Sequence, residues 1–103
     1  MTIDLTNLTP LGNGGVAQAF RIRETDTHFI DVVEQLFNWR VCATFKPHDG
    51  FFYDAGYCYL GKGRDSFTRA VLGAAVWDGP GHGDPPGWDK NAFTGEWNAD
   101  RVS

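Results

Sequence analysis

The side chains best suited to metal or nucleophilic chemistry are three histidines, His28, His48 and His82, and two cysteines, Cys42 and Cys58. A structural zinc site needs four converging ligands, usually with two of them closely spaced. No pair here has Cys-x2-Cys or His-x3-His spacing, so neither a metal nor another cofactor is expected. Gly61-Lys62-Gly63-Arg64-Asp65-Ser66 holds the ingredients of a phosphate loop, with glycines and a lysine ahead of a serine that opens a helix. It lacks the spacing and length of a true P-loop, and a turn followed by a capping residue accounts for it. Ser66 reads as a cap, Ser103 is the last residue, and neither lies in a nucleophile elbow. Asp26, Asp31 and Glu34 read as charges at a helix start rather than as a paired acid and base. Nothing in the chain points to catalysis.

Aromatic side chains are the remaining resource. They make up 15% of the chain, and Phe51, Phe52, Tyr53, Tyr57, Tyr59, Trp77, Trp88 and Trp97 exceed what one small core obviously needs. Aromatics are enriched at protein interfaces, yet large rings also let a small domain fill itself with few residues. Either use fits the composition. If the rings form a surface, Phe51, Phe52, Tyr53, Tyr57, Tyr59, Trp88 and Trp97 are the candidates to meet a partner.

These residues must be held by local elements. Residues 1–15 end in Gly12-Asn13-Gly14-Gly15 and read as an irregular arm, with Leu5, Leu8 and Leu11 as anchors. Val16 to Arg23 alternates, with Phe20 and Ile22 facing one way and Arg21 and Arg23 the other, which predicts a short half-buried strand. Asp26 or Thr27 can cap a helix running to about Asn38, since Phe29, Ile30, Val33, Leu36 and Phe37 recur at three- and four-residue spacing. From Trp39 the period switches to two: Trp39, Val41, Ala43 and Phe45 share one face, and Arg40, Cys42, Thr44 and Lys46 the other. Pro47-His48-Asp49-Gly50 turns the chain, and Tyr57 to Leu60 returns as the partner strand. Asp65 or Ser66 caps a second helix that buries Phe67, Ala70, Val71, Ala74 and Trp77.

The fold class expected is therefore α+β: a small antiparallel sheet of two or three strands with two helices, ordered β-α-β-β-α. One core is expected to combine Trp39, Val41, Phe45, Phe29, Val33, Leu36, Phe67, Val71 and Ala74. The 103 residues suit a single domain, with residues 16–77 as its body and residues 78–103 as an extended tail. The tail is rich in glycine and proline, but Trp88, Phe93 and Trp97 would be costly to expose, so docking onto the domain is expected. A net charge of -4 argues against a nucleic-acid partner. No apolar run is long enough to cross a bilayer, and Met1-Thr2-Ile3-Asp4 lacks the pattern of an export signal. A cytoplasmic setting is thus expected, with Cys42 and Cys58 as reduced thiols in the core or on a sheet face.

Phe67-Thr68-Arg69-Ala70-Val71-Leu72-Gly73-Ala74-Ala75-Val76-Trp77-Asp78-Gly79, followed by Gly87-Trp88-Asp89-Lys90-Asn91, resembles small uncharacterised proteins of mycobacteriophages and related actinophages. Tyr57-Cys58-Tyr59-Leu60-Gly61 is similar to small phage proteins with a helix–strand–strand–helix sandwich, a likeness covering about residues 27–77. In those proteins a Tyr/Trp-Cys strand leads through a loop into an Ala-rich helix; the extra N-terminal strand and long tail of this chain depart from that pattern. The resemblance brings no catalytic residues. It implies a phage accessory protein acting in the bacterial cytoplasm. The expected function is non-catalytic binding of a bacterial or phage protein, with a homodimer compatible. The alternatives are a small-molecule-binding protein or minor enzyme with the aromatics as its pocket, and an acidic nucleic-acid mimic.

Overall fold

The structure, a computed structural model, describes residues 9–10, 18–49 and 53–90. Hairpin chemistry dominates it. Four antiparallel strands, β2 (Ala19–Glu24), β3 (His28–Glu34), β4 (Asn38–Phe45) and β5 (Ala55–Leu60), lie side by side in chain order. A two-residue segment, β1 (Thr9–Pro10), pairs with the outer side of β2. One helix, α1 (Arg64–Val76), crosses one face of this sheet, so the fold is α+β.

The helix predicted between Asp26 and Asn38 is instead β3 with a turn at each end. Thr25 does satisfy free backbone N–H groups, but it closes a hairpin, and neither Asp26 nor Thr27 opens a helix. The Thr25 N–H donates to the His28 carbonyl (2.8 Å), and the Thr25 hydroxyl accepts from the N–H groups of Thr27 (3.2 Å) and His28 (3.0 Å). Capping and turn closure use the same short polar side chains. Ile30, Val32 and Val33 are β-branched and favour a strand. In β3, Ile30 and Val32 turn toward α1 and are fully buried, while Phe29, Asp31 and Val33 take the opposite face.

A second tight turn follows, closed by the Gln35 N–H donating to the Asn38 carbonyl (2.9 Å). Its two central residues, Leu36 and Phe37, are 79% and 68% exposed, so Leu36 does not join the core. Leu36→Ala is accordingly expected to cost less than about 0.5 kcal/mol in chemical denaturation. A loss near the 2–5 kcal/mol typical of a buried leucine would place that side chain in the core after all.

The observed core combines Ile30, Val32, Trp39, Val41, Ala43 and Tyr59 of the sheet with Ala70, Val71 and Ala74 of α1, and Trp77 closes one end. Trp39, Val41, Phe67, Val71 and Ala74 occupy or pack against it as expected. Phe29 and Val33 lie on the opposite face of the sheet and Phe45 is 39% exposed, so these three fall outside it. The alternation expected in β2 breaks at a bulge between Arg21 and Arg23. A bulge re-aims side chains, and here it places Arg23 opposite Ile30, on the helix face. Its guanidinium donates to the Ala75 carbonyl (3.1 Å) and pairs with Asp78 (3.2 Å), compensating the negative end of α1.

Helix α1 begins one residue after Gly63, which occupies the cap position without a side-chain bond, so neither Asp65 nor Ser66 is the cap. Ser66 instead donates its hydroxyl to the Leu60 carbonyl (2.7 Å), tying the helix to the end of β5. Gly73 allows the closest approach: a methyl group there would overlap the Tyr59 hydroxyl. That hydroxyl donates to the Pro86 carbonyl (2.7 Å), linking sheet and tail beneath the helix.

The segment after Trp77 docks as far as it is described. Trp77 is buried and its indole N–H donates to the Gly83 carbonyl (2.8 Å). The Tyr57 ring lies edge-on between Trp77 (5.1 Å) and Trp88 (5.0 Å). Asp89 then covers the open edge of β5: its N–H donates to the Cys58 carbonyl (2.8 Å) and its carboxylate accepts from the Leu60 N–H (2.7 Å). Covering an edge strand in this way blocks pairing with another chain.

Candidate functional site

Among the described residues, Tyr53, Tyr57, Tyr59 and Trp88 do not share one exposed surface. Tyr59 is buried, and Tyr57 and Trp88 are half-buried partners in the stack that holds the tail. Tyr53 is half-buried on the opposite side of the sheet, where its hydroxyl bonds to Asp31. Phe51, Phe52, Phe93 and Trp97 lie outside the described residues, as do the N-terminal leucines.

The far face of the sheet carries a polar cluster instead. Asp31 is fully buried, and the Arg21 guanidinium donates to both of its oxygens (3.0 and 3.4 Å). Arg21 also reaches Asp49 (3.4 Å) and stacks over the Phe29 ring at 3.9 Å. Burial pushes the Asp31 carboxyl up from the ordinary carboxylate range, against the pull of Arg21 and Tyr53. Its oxygens are engaged and enclosed, so it braces β2 against β3 rather than offering an acid to a substrate. Sequence reading places Asp31 at a helix start; only the pairing of Arg21 with Asp31 across β2 and β3 reveals this role.

Cys42 and Cys58 are buried free thiols on that same face. Burial raises both, Cys58 to about 11 and Cys42 further, so neither is an activated nucleophile. Burial also raises Tyr53, Tyr57 and Tyr59. For each of these groups the native pKa exceeds the unfolded one, so the unfolded chain releases protons first as pH rises. Stability is therefore expected to be complete below pH 9.0, the ordinary thiol value, and to fall as pH climbs toward 11 and beyond. The slope is up to about 1.4 kcal/mol per pH unit for each fully buried group. Urea denaturation at stepped alkaline pH checks this; a flat profile would contradict the burial of the thiols.

Next to this cluster, the His48 ring bonds through Nδ1 to Asp54 (3.0 Å). Burial opposes ionisation of Asp54, but bonds from the Phe45 N–H (2.5 Å) and His48 outweigh it and hold its pKa down. His28 and His48 flank the Phe45 ring at 5.5 and 5.3 Å. Among the described residues no three His, Cys, Asp or Glu side chains converge as metal ligands would.

An apolar groove of about 410 Å³ lies between the outer side of α1 and the Pro86-Gly87 turn. Leu72 and Val76 form its helix wall and are 49% and 57% exposed; Arg69 stands at its end. Arg69 is steadied by the Leu60 carbonyl (3.2 Å) and Asp89 (3.6 Å). The lining is almost entirely aliphatic, so it offers contact area rather than reacting groups. The signal was available in the sequence: Leu72 and Val76 are four residues apart, on the side of the helix away from Ala70, Val71 and Ala74.

Fold and site together define a small α+β domain, a four-strand antiparallel meander under one helix, with an apolar groove along that helix. No described helix is long and apolar enough to cross a membrane. Comparison with protein-family models, with curated proteins and with solved structures finds no match.

Proposed function

We propose that this chain is a non-catalytic binding protein that docks a partner protein in the groove between α1 and Pro86-Gly87. The supporting observation is that Leu72 and Val76 present a continuous aliphatic wall to solvent beside a preformed recess. Such a groove suits the apolar side of a short helix or extended segment. The partner class follows from the resemblance to actinophage accessory proteins: a protein of the bacterial host or of the phage.

Placing a photo-crosslinking residue at position 76 tests the reading in host lysate. A discrete partner should be captured, and capture should be lost in Leu72→Glu, an exposed change that leaves the melting temperature within a degree or so. Equal capture from a crosslinker at Asp26, in the turn at the far end of β2, would overturn it.

A further inference from the structure

We infer that the groove along α1 takes the β3–β4 hairpin tip, Leu36 and Phe37, of a second copy of this chain. The inference rests on the groove read above as a docking site and names what fills it.

Leu36 and Phe37 serve neither the turn nor the core. A two-residue hairpin loop favours Asn-Gly, which adopts the required backbone at little cost. Here the loop closed by the Gln35 N–H and the Asn38 carbonyl carries two large apolar side chains, 79% and 68% exposed. A local preference set aside with no gain in core packing marks a functional position. The backbone at the tip is already satisfied where it is paired. The Gln35 carbonyl accepts from the Lys62 ammonium (2.7 Å), and the Phe37 carbonyl accepts from the Gly61 N–H (3.2 Å). These groups keep their partners when the tip leaves water, which removes part of the usual cost of burying a loop.

The receiving surface is on the same chain but out of the tip's own reach. Leu72 and Val76 lie about 12 and 18 Å along α1 from Arg64, whereas the tip sits beside Gly61, ahead of the helix start. The groove, about 410 Å³, presents Leu72, Val76 and the Pro86-Gly87 turn, a lining that matches side chains without polar atoms. Charge agrees with this pairing. Near the tip three bases, Arg40, Lys62 and Arg64, face two acids, Glu34 and Asp65. Around the groove three acids, Asp78, Asp84 and Asp89, face two bases, Arg23 and Arg69. Opposite net charges steer the tip of one copy toward the groove of another. Pairing through β5 is not the route, because Asp89 covers that edge. Tip and groove are different surfaces, so the contact is heterologous and can repeat from copy to copy.

Sedimentation of the purified full chain over a concentration series reaching the millimolar range tests this. The average mass should rise with concentration. Leu36→Asn combined with Phe37→Gly removes the apolar tip but supplies the favoured loop residues, so the melting temperature should hold or rise. This variant and Leu72→Glu should each weaken self-association by at least about tenfold. Mixing the two should restore association that stops at a dimer, since only one intact tip and one intact groove remain. A chain that stays monomeric, association that survives either variant, or variants that stay monomeric when mixed would overturn the proposal. If the chain is monomeric yet a crosslinker at position 76 still captures a lysate protein, the second copy is excluded and the docking groove stands. If Leu72→Glu changes neither association nor capture, both readings fall.

Discussion

Arg21→Ala is expected to cost about 3–5 kcal/mol at neutral pH, because it strips a fully buried carboxylate of its cation. The salt bridge to Asp49 adds little to this figure, since Asp49 is exposed and returns to water. Asp31 would keep its bond from Tyr53 but lose both guanidinium contacts. Without the guanidinium its native pKa rises further above the unfolded value of 3.8. A carboxyl raised in the native state loses stability as pH rises from its unfolded value to its native one. The deficit of the variant should therefore be largest at neutral pH and shrink toward pH 3.8 as Asp31 takes up a proton. Replacing both partners, Arg21→Met with Asp31→Leu, should recover much of the loss, since a well-packed apolar pair can substitute for a buried ion pair. Urea denaturation at neutral and acid pH gives all three numbers. A deficit under about 1 kcal/mol, or one independent of pH, would show that solvent reaches Asp31.

A chain ending at Asp78 should lose at least about 3 kcal/mol. It would leave Trp77 without the Gly83 carbonyl and Tyr59 without the Pro86 carbonyl. It would also remove the Trp88 ring from Tyr57 and both bonds that Asp89 makes to β5. Two consequences can be separated. Loss of the buried contacts lowers the melting temperature, whereas loss of Asp89 opens the β5 edge to pairing with another copy. Asp89→Ala in the full chain should show the second effect with less of the first, as self-association in sedimentation. An unchanged melting temperature in the truncated chain would mean that residues 79–90 contribute nothing to the fold.

These two expectations rest on features of different legibility. Docking of the tail could be argued from sequence, because exposed tryptophans are costly wherever the chain places them. The hairpin of Trp39–Phe45 with Tyr57–Leu60 was legible from its period of two, and α1 from the spacing of Phe67, Ala70, Val71 and Ala74. Burial patterns on these elements are local, so the residues themselves carry them. The segment from Asp26 to Asn38 is different. Phe29, Ile30, Val33, Leu36 and Phe37 satisfy helical spacing, and a capping pair precedes them, but the same residues also make a strand between two turns.

What decided in favour of a strand is non-local. Ile30 and Val32 find Val41 and Ala43 across the β3–β4 ladder, and Asp31 finds Arg21 across β2. A helix in that place would leave β4 without its neighbour on one side and Arg21 without its acid. The candidate sites divide in the same way. Leu72 and Val76 stand on the open side of a helix that the sequence predicts, but their groove exists only because Pro86 returns beside Gly73. Residue order alone determined that this chain has an aromatic-rich sheet, a small-residue helix and a tail that must be covered. Tertiary pairing decided which aromatics are spent on the core and which stay exposed, because packing partners are assigned by residues distant in sequence.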